Sequence, residues 1–557
     1  MKEQARRFAL QNAVAHGGQA NPKAVVGRLL GADASLRARS AEVAVAVDEV
    51  VRAVNAMAPE EQRAELERTA PELLETRKVE APGGLPELPN VSGPVVMRMA
   101  PYPSGPLHIG NARMVLLNDE YVRRYGGKLL LVYDDTIGSA EKFILPEAYA
   151  QIREGLDWLG VHIDEVLYKS DRLPLFYEWG ERILAAGGAY VCECPSERLR
   201  ALRNEKTACE HRAREPAENI ERFRGMIGGD YAEGTAVVRI KTDIAHPNPA
   251  FRDRVLFRIA DREHPRIGRK YRVWPLLEFS WAVDDHLLGI THVVRGKDLV
   301  MEDLMETAIW DALGVQRRPE FVHHGLLSLK DVELSKTEFR KMRERGEVDR
   351  IDDPRLWTLQ SLARRGIAPE ALRSFVKGFS LSLTDIQVPA ETLYSENRKI
   401  IDRAANRYQF VHNPFAIVLD GVSDFPDLKL PLHPEDHDPS HTRATSTSRV
   451  VNVSGEVAGY QGKEVRLKDW INVKVHEGES KATFTSGEPS HLAKIQWVAQ
   501  VEQVRVKVLM PDGKVESGYT QRAIRMEKPG ATVQFEQFGF VRLESVGEEI
   551  QAVFAHH

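Results

Sequence analysis

The 557-residue sequence contains only three cysteines. So few, and an odd number, argue against a disulfide framework. Long apolar runs are also missing, and none approaches the roughly 20 residues that a membrane-spanning helix needs. The opening residues MKEQARRFALQNAVAHGG are basic, but they have neither an uninterrupted apolar core nor a small-residue cleavage site. A secretory signal is therefore not expected. There is no excess of positive charge: 76 Lys and Arg stand against 81 Asp and Glu, a formal net charge of −5. That balance argues against a globally basic nucleic-acid coat, while a local basic patch could still engage RNA. Internal repeats and low-complexity tracts are absent. Together these absences lead to the expectation of a cytoplasmic protein with no membrane association. Its length implies several domains, and its 43% hydrophobic content is ordinary for a globular chain.

The most informative stretch is VVMRMAPYPSGPLHIGNARMVLLNDEYVRRYGGKLLLVYDD (95–135). VVMRMA is short, apolar and rich in β-formers. After Gly110, Ala112, Val115, Leu116, Asp119, Val122 and Tyr125 recur at helical spacing. Gly126-Gly127 closes the helix as an αL cap would. LLLVY reads as a fully buried parallel strand. The unit is β-loop-α-β, and in such units ligands sit at the carboxyl end of the strand and the amino end of the helix. His108, Gly110 and Asn111 fall at that place. A histidine and an amide there could donate to phosphate oxygens, and glycine would let a planar ring approach the backbone. Taken alone, the tetrapeptide HIGN reads better as a helix cap carrying a surface histidine.

A second signal lies far downstream, in LSLKDVELSKTEFRK (327–341). Ser335-Lys336 follows a strand within a polar loop, where an ammonium group could meet a polyphosphate and neutralise charge during displacement. The ordinary alternative is a solvated lysine. A third constellation uses every cysteine: Cys192-Glu-Cys194 and Cys209-Glu-His211. Two closely spaced thiolate and imidazole pairs suit a closed, structural tetrahedral zinc site. The alternative is three free thiols that happen to be near one another.

The segmentation follows composition. Residues 1–80 read as a helical extension and 81–94 as a Gly/Pro-rich linker. Residues 95–190 form the first half of an α/β nucleotide-binding domain. Residues 191–272 break the rhythm and read as an insertion, and the α/β pattern returns over 273–337. Residues 338–409 look mainly helical. Residues 410–557 alternate in strands with glycine turns and read as antiparallel β-barrels.

Taken together, HIGN and the Ser-Lys loop resemble the HIGH and KMSKS signatures of class I aminoacyl-tRNA synthetases. MRMAPYPSGPLHIGNAR and AVDDHLLGITHVVRGKD extend the likeness to the glutamyl/glutaminyl subfamily. With its helical extension and β-rich tail, the whole chain resembles the archaeal-type glutamyl-tRNA synthetases. The resemblance implies a Rossmann-type catalytic domain, an acceptor-stem-binding insertion, a helical stem-contact segment and anticodon-binding barrels. It implies ATP and L-glutamate as substrates, Mg2+ on the phosphates, and glutamate tRNA as partner, with glutamine tRNA as an open second acceptor. A monomer is expected. By resemblance, His108, Asn111 and Lys336 are catalytic, and ATP is bound by Pro101, His108, Gly110, Asn111, Asp298, Ser335 and Lys336. Arg98 and Arg295 correspond to the arginines of the amino-acid site, Arg98 reading the side-chain carboxylate. Some family members carry a zinc site like Cys192, Cys194, Cys209 and His211. Three alternatives remain: a glutaminyl-tRNA synthetase, disfavoured by Arg98; a short glutamyl-queuosine enzyme, disfavoured by the tail; and a catalytically dead RNA-binding scaffold.

Overall fold

The computed structural model describes residues 2–15, 18–22, 24–26, 29, 40–70, 84–138, 143–330, 332, 341–436 and 438–557. The chain divides into two compact units, Met1–Gly84 and Leu85–His557. The first is helical, with α1 (Lys2–Ala15), α2 (Ser40–Asn55) and α3 (Pro59–Thr69). Val43, Val47, Val51 and Val54 repeat at helical spacing along α2 and are buried, packing in one core with Ala9, Leu10 and Leu66. α3 begins where its proline and acids place it, and the Glu61 carboxylate accepts the Ala58 N–H at 3.3 Å.

In the second unit, β1 (Val96–Met99), β2 (Lys128–Tyr133) and β3 (Glu165–Tyr168) form a parallel sheet. The crossovers are α4 (Ile109–Tyr125) and α5 (Pro146–Trp158). Gly126 ends α4 in the left-handed region at φ 62°. At Gly127 a Cβ would lie 2.1 Å from the Val95 carbonyl oxygen, so the chain turns into β2 only with glycine there.

The helix α6 (Leu173–Ala185) then leads into an antiparallel sheet of β4 (Ala189–Cys192), β5 (Val237–Ile240), β6 (Val255–Ile259) and β7 (Val273–Pro275), in that order. This sheet is the break in rhythm seen near residue 190, and its last strand runs slightly past residue 272. Then come α7 (Leu277–Leu287), β8 (His292–Gly296), α8 (Val300–Leu313) and β9 (Glu320–His324). β8 and β9 pair in parallel. The Thr291 N–H donates to Val96 O at 2.8 Å, which sets this pair beside β1. The parallel strands thus run β3-β2-β1-β8-β9. The order reverses between β1 and β8, and in open α/β sheets ligands bind at such a reversal.

The strand β10 (Leu327–Leu329) precedes Ser335 and Lys336 in sequence. It pairs in parallel with β11 (Ile386–Val388), which lies among the helices Leu359–Arg364, Pro369–Lys377 and Glu391–Ile401. The segment read as mainly helical therefore also holds a short strand. The tail contains two seven-stranded sheets. Most of their ladders are antiparallel. Among the described residues four run parallel: Arg407–Tyr408 against Gln534–Phe535, Val418–Asp420 against Lys481–Thr483, Arg466–Leu467 against Lys494–Ile495, and Arg505–Leu509 against Glu549–Val553. The long connections between these strands permit the crossover that parallel pairing needs.

His556 closes the last strand and is buried. Its Nε2 lies 3.0 Å from Asn397 Nδ2, and its ring stacks on Tyr394 at 5.1 Å. Burial pulls this imidazole down to about 4. Its folded value lies below the ordinary 6.5, so between about pH 6.5 and 4 the unfolded chain takes up a proton that the folded chain refuses. The contribution is complete above pH 6.5 and is lost as pH falls. Wild-type protein is expected to lose about 2 kcal/mol from this group between pH 7 and 5. His556→Gln should be less stable at pH 7 but show a shallower acid dependence, as read from denaturant midpoints. Parallel slopes for the two proteins would refute the assignment.

Candidate active site

The HIGN turn builds its own cap. His108 Nδ1 accepts the Gly110 N–H at 3.1 Å, and Asn111 Oδ1 accepts the His108 N–H at 3.1 Å. This is the reciprocal capping-box pattern with histidine and asparagine in the usual Ser/Thr and Glu/Gln places. A Cβ on Gly110 would lie 2.9 Å from His108 Cε1, so this glycine makes room for the imidazole itself. The first turn of α4 keeps the positive end of its dipole at the carboxyl edge of β1. The turn is anchored from downstream: the Ile109 N–H donates to Trp357 O and the Leu359 N–H to Leu107 O, both at 3.0 Å. Leu327 O of β10 lies 3.5 Å from where a Gly110 Cβ would be. The strand β10 therefore starts beside HIGN. Ser335 and Lys336 lie outside the described residues.

Pro101 O accepts the Asp134 N–H at 3.1 Å, tying the Pro-rich turn to the end of β2. Asp298 sits in the single turn Lys297–Leu299, its carboxylate folded against Gly296 at the end of β8.

The two arginines singled out from the sequence meet across the strand reversal, Arg98 on β1 and Arg295 on β8. Arg98 Nε and Nη2 donate to the two carboxylate oxygens of Asp285 at 2.6 and 2.7 Å. Arg295 Nε donates to Asp303 at 3.0 Å, and its Nη2 reaches both Asp303 and Glu306, the latter at 2.8 Å. Each fork is engaged along its Nε–Nη2 edge. Arg295 Nη1 is buried with no hydrogen-bond partner among the described residues.

Both guanidinium groups lie over the Trp281 indole, at 4.8 and 4.9 Å from its centroid. Lys169 Nζ lies 5.3 Å from the same ring. This lysine is fully buried; it donates to Ser280 Oγ at 2.6 Å and pairs with Asp134 at 3.1 Å. Asp284 pairs with Arg172 at 2.7 Å. Burial pushes Asp284 up to about 6 and Glu306 up to about 8, against the pull of their cationic neighbours. Desolvation drives the Lys169 ammonium below its ordinary value.

Sequence reasoning missed Lys169, Asp285, Asp303, Glu306 and the central place of Trp281. One signal for the acids was available. Asp303 and Glu306 share the buried stripe of α8 with Ile309 and Trp310, where carboxylates have no business unless paired.

A cleft of about 770 Å³ opens between the end of β2 and the inserted sheet. Tyr102, Asp134, Glu278, Arg239, Arg254 and Arg258 are among the residues that line it. Arg254 pairs with Glu278 and, at 3.2 Å, with Glu302.

The insertion brings together all four residues of the cysteine constellation. Cys192 and Cys209 Sγ are 3.7 Å apart, and His211 Nδ1 lies 3.7 Å from Cys192 Sγ and 3.3 Å from Cys194 Sγ. All four ligand atoms fall within 4.8 Å of one another. A tetrahedral zinc with Zn–S near 2.3 Å has ligand–ligand edges of roughly 3.8 Å, so the donor set and its spacing fit a closed four-coordinate site. His211 Nε2 faces Glu193 at 3.8 Å, and Glu193 is fixed by Arg214 at 2.8 Å and Tyr231 at 3.0 Å. A carboxylate behind the ligating imidazole is the usual second layer of such sites.

The strand reversal and the capped HIGN turn at the edge of β1 mark the chain as a nucleotide-binding α/β protein. Residues 94–402 match the model for tRNA synthetases class I (E and Q), catalytic domain, and residues 405–491 match the anti-codon binding domain of the same group. The chain belongs to this family. Among its relatives, the glutamate–tRNA ligase of Pyrococcus abyssi is 42% identical, covering 99% of this chain and 99% of the relative. That of Methanopyrus kandleri is 41% identical over 100% and 99%. Among solved structures, a glutamate tRNA ligase from Elizabethkingia meningosepticum in complex with its amino acid matches at a TM-score of 0.41 and 21% identity, over 56% of this chain and 71% of that one.

Proposed function

We propose that this chain is a glutamate–tRNA ligase. It activates L-glutamate with ATP, releases pyrophosphate, and passes the glutamyl group to the terminal ribose of tRNA-Glu. The observation that carries this reading is the likeness to glutamate–tRNA ligases at 40–42% identity along the entire chain, helical extension and β-rich tail included.

The residue roles are our reading of the site. ATP lies over the HIGN turn, in reach of Pro101, Gly110 and Asp298, with Ser335 and Lys336 closing on the phosphates. His108, Asn111 and Lys336 hold the α-phosphate and the departing pyrophosphate as negative charge develops there. No protein nucleophile is required, because catalysis rests on positioning and charge stabilisation. Magnesium, when bound, neutralises phosphate charge. Arg98 and Arg295 select the amino acid through the guanidinium edges that their internal acids leave over, since a guanidinium is the natural reader of a carboxylate. Zinc would be held by Cys192, Cys194, Cys209 and His211, and it supplies a structural cross-link within the insertion that receives the acceptor end. We place the enzyme in the cytoplasm as a monomer.

The test is charging of purified tRNA-Glu and tRNA-Gln transcripts with each amino acid. Glutamate attached to tRNA-Glu alone is the discriminating enzyme. Glutamate on both transcripts makes it non-discriminating. Glutamine on tRNA-Gln, or no charging by folded protein, overturns the proposal.

A further inference from the structure

Three cations, Arg98, Arg295 and Lys169, crowd one aromatic ring, the indole of Trp281 on α7. We propose that Trp281 is the positioning residue of the amino-acid pocket: its indole is the surface on which Arg98 and Arg295 are held in the orientation that meets the substrate carboxylate. This rests on the glutamate-activating function proposed above and names what makes its specificity possible.

The argument starts from how a guanidinium is fixed. Hydrogen bonds along one edge set its plane only loosely, because the group can still tilt about that edge. Arg98 is bound along its Nε–Nη2 edge by Asp285, and Arg295 along the same edge by Asp303 and Glu306. Each therefore has one free degree of tilt. For Arg98 the Trp281 face at 4.8 Å removes it, and Arg295 is met by two ring faces, those of Trp281 and Phe321, each 4.9 Å from its guanidinium carbon. Cation–π attraction is strongest over tryptophan and grows when the pair is desolvated, and all three side chains here are at least nine-tenths buried. With edge and face both fixed, the remaining Nη1 of each arginine has one direction left to it.

A merely space-filling tryptophan would not be expected to gather like charges. Arg98, Arg295 and Lys169 repel one another, and their convergence on one indole needs both the ring quadrupole and the surrounding acids. Leucine at 281 would fill much of the volume and supply no such face. Phenylalanine would supply a smaller one.

The experiment is glutamate-dependent pyrophosphate exchange, with tRNA present, for wild type, Trp281→Phe and Trp281→Leu. KM is measured separately for glutamate and ATP, together with the ratio of glutamate to glutamine use. Trp281→Leu is expected to raise the glutamate KM by on the order of 10-fold or more and to erode the glutamate:glutamine ratio, with ATP KM unchanged. Trp281→Phe should recover most of both. Thermal unfolding of each variant reports folding. If the leucine variant is folded and keeps wild-type glutamate KM, or if ATP and glutamate KM rise together, or if phenylalanine rescues nothing, the assignment is overturned. Wild type that exchanges pyrophosphate with no dependence on glutamate would instead overturn the function on which the assignment rests.

Discussion

Arg98→Ala is expected to lower glutamate-dependent pyrophosphate exchange by on the order of 10³-fold, almost entirely through glutamate recognition. Removing one partner of a buried pair costs about 2–5 kcal/mol, much of it from stranding the other charge. The stranded group is Asp285, whose carboxylate is wholly buried against a guanidinium that is itself only 5% exposed. The single variant should therefore be destabilised as well, by about 3–5 kcal/mol. The two losses separate in a double variant. Arg98→Ala with Asp285→Asn removes the orphaned charge, so stability should largely return while glutamate activation does not. If activity returns with stability, Arg98 is a structural counter-ion and the carboxylate is read elsewhere. If the single variant weakens ATP and leaves glutamate untouched, its assignment to the amino acid is wrong.

Cys209→Ser should empty the metal site and loosen the insertion. The helix Ser196–Asn204, between the two ligand pairs, buries no side chain, so the polypeptide there has little core of its own. A cross-link from the end of β4 to the turn Glu210–Ala213 supplies what apolar packing does not, and metal-binding energy becomes folding energy. Elemental analysis of protein purified without added metal should find about one zinc per chain, and near none in Cys209→Ser. The variant's KM for tRNA should rise by on the order of 10²-fold while ATP and glutamate KM stay close to wild type, since no open coordination position faces the phosphates. Native protein with three freely titrating thiols and no zinc would refute the site. Full zinc with normal charging by Cys209→Ser would refute its role.

Much of this architecture was readable because it depends on neighbours in sequence. The β-loop-α-β unit around His108, the αL cap at Gly126 and the apolar stripe of α2 are local patterns with fixed periods. The Cys/His pairs were legible for a similar reason, since thiolate and imidazole at close spacing have few other uses. What escaped is long-range or short-lived. Arg98 meets Asp285 across 187 positions, and Lys169 meets Ser280 across 111, and no period connects them. Strand Ile386–Val388 is three residues long, too short to show alternation, and its hydrogen bonds come from β10 nearly sixty residues earlier. Gly110 was expected to admit a flat ligand ring, whereas the space above it is taken by its own neighbour's imidazole.

The acids that pin the two arginines carry one more implication. Around Trp281 the buried cations are Arg98, Arg295, Lys169 and Arg172; the buried acids are Asp134, Asp284, Asp285, Asp303 and Glu306. Burial drives Glu306 toward its neutral form, which brings the positive and negative groups of the cluster close to balance. The receptor for an acidic amino acid is thus electrically balanced before anything binds. Any pull on a distant anion comes instead from the wall of the cleft, where Arg200, Arg203, Arg239, Arg254 and Arg258 stand. Discrimination is exercised only at contact, as an exchange of partners inside a balanced array. Added salt should then act on glutamate's approach past those arginines and not on the exchange itself, and more steeply on the phosphate contacts made with tRNA.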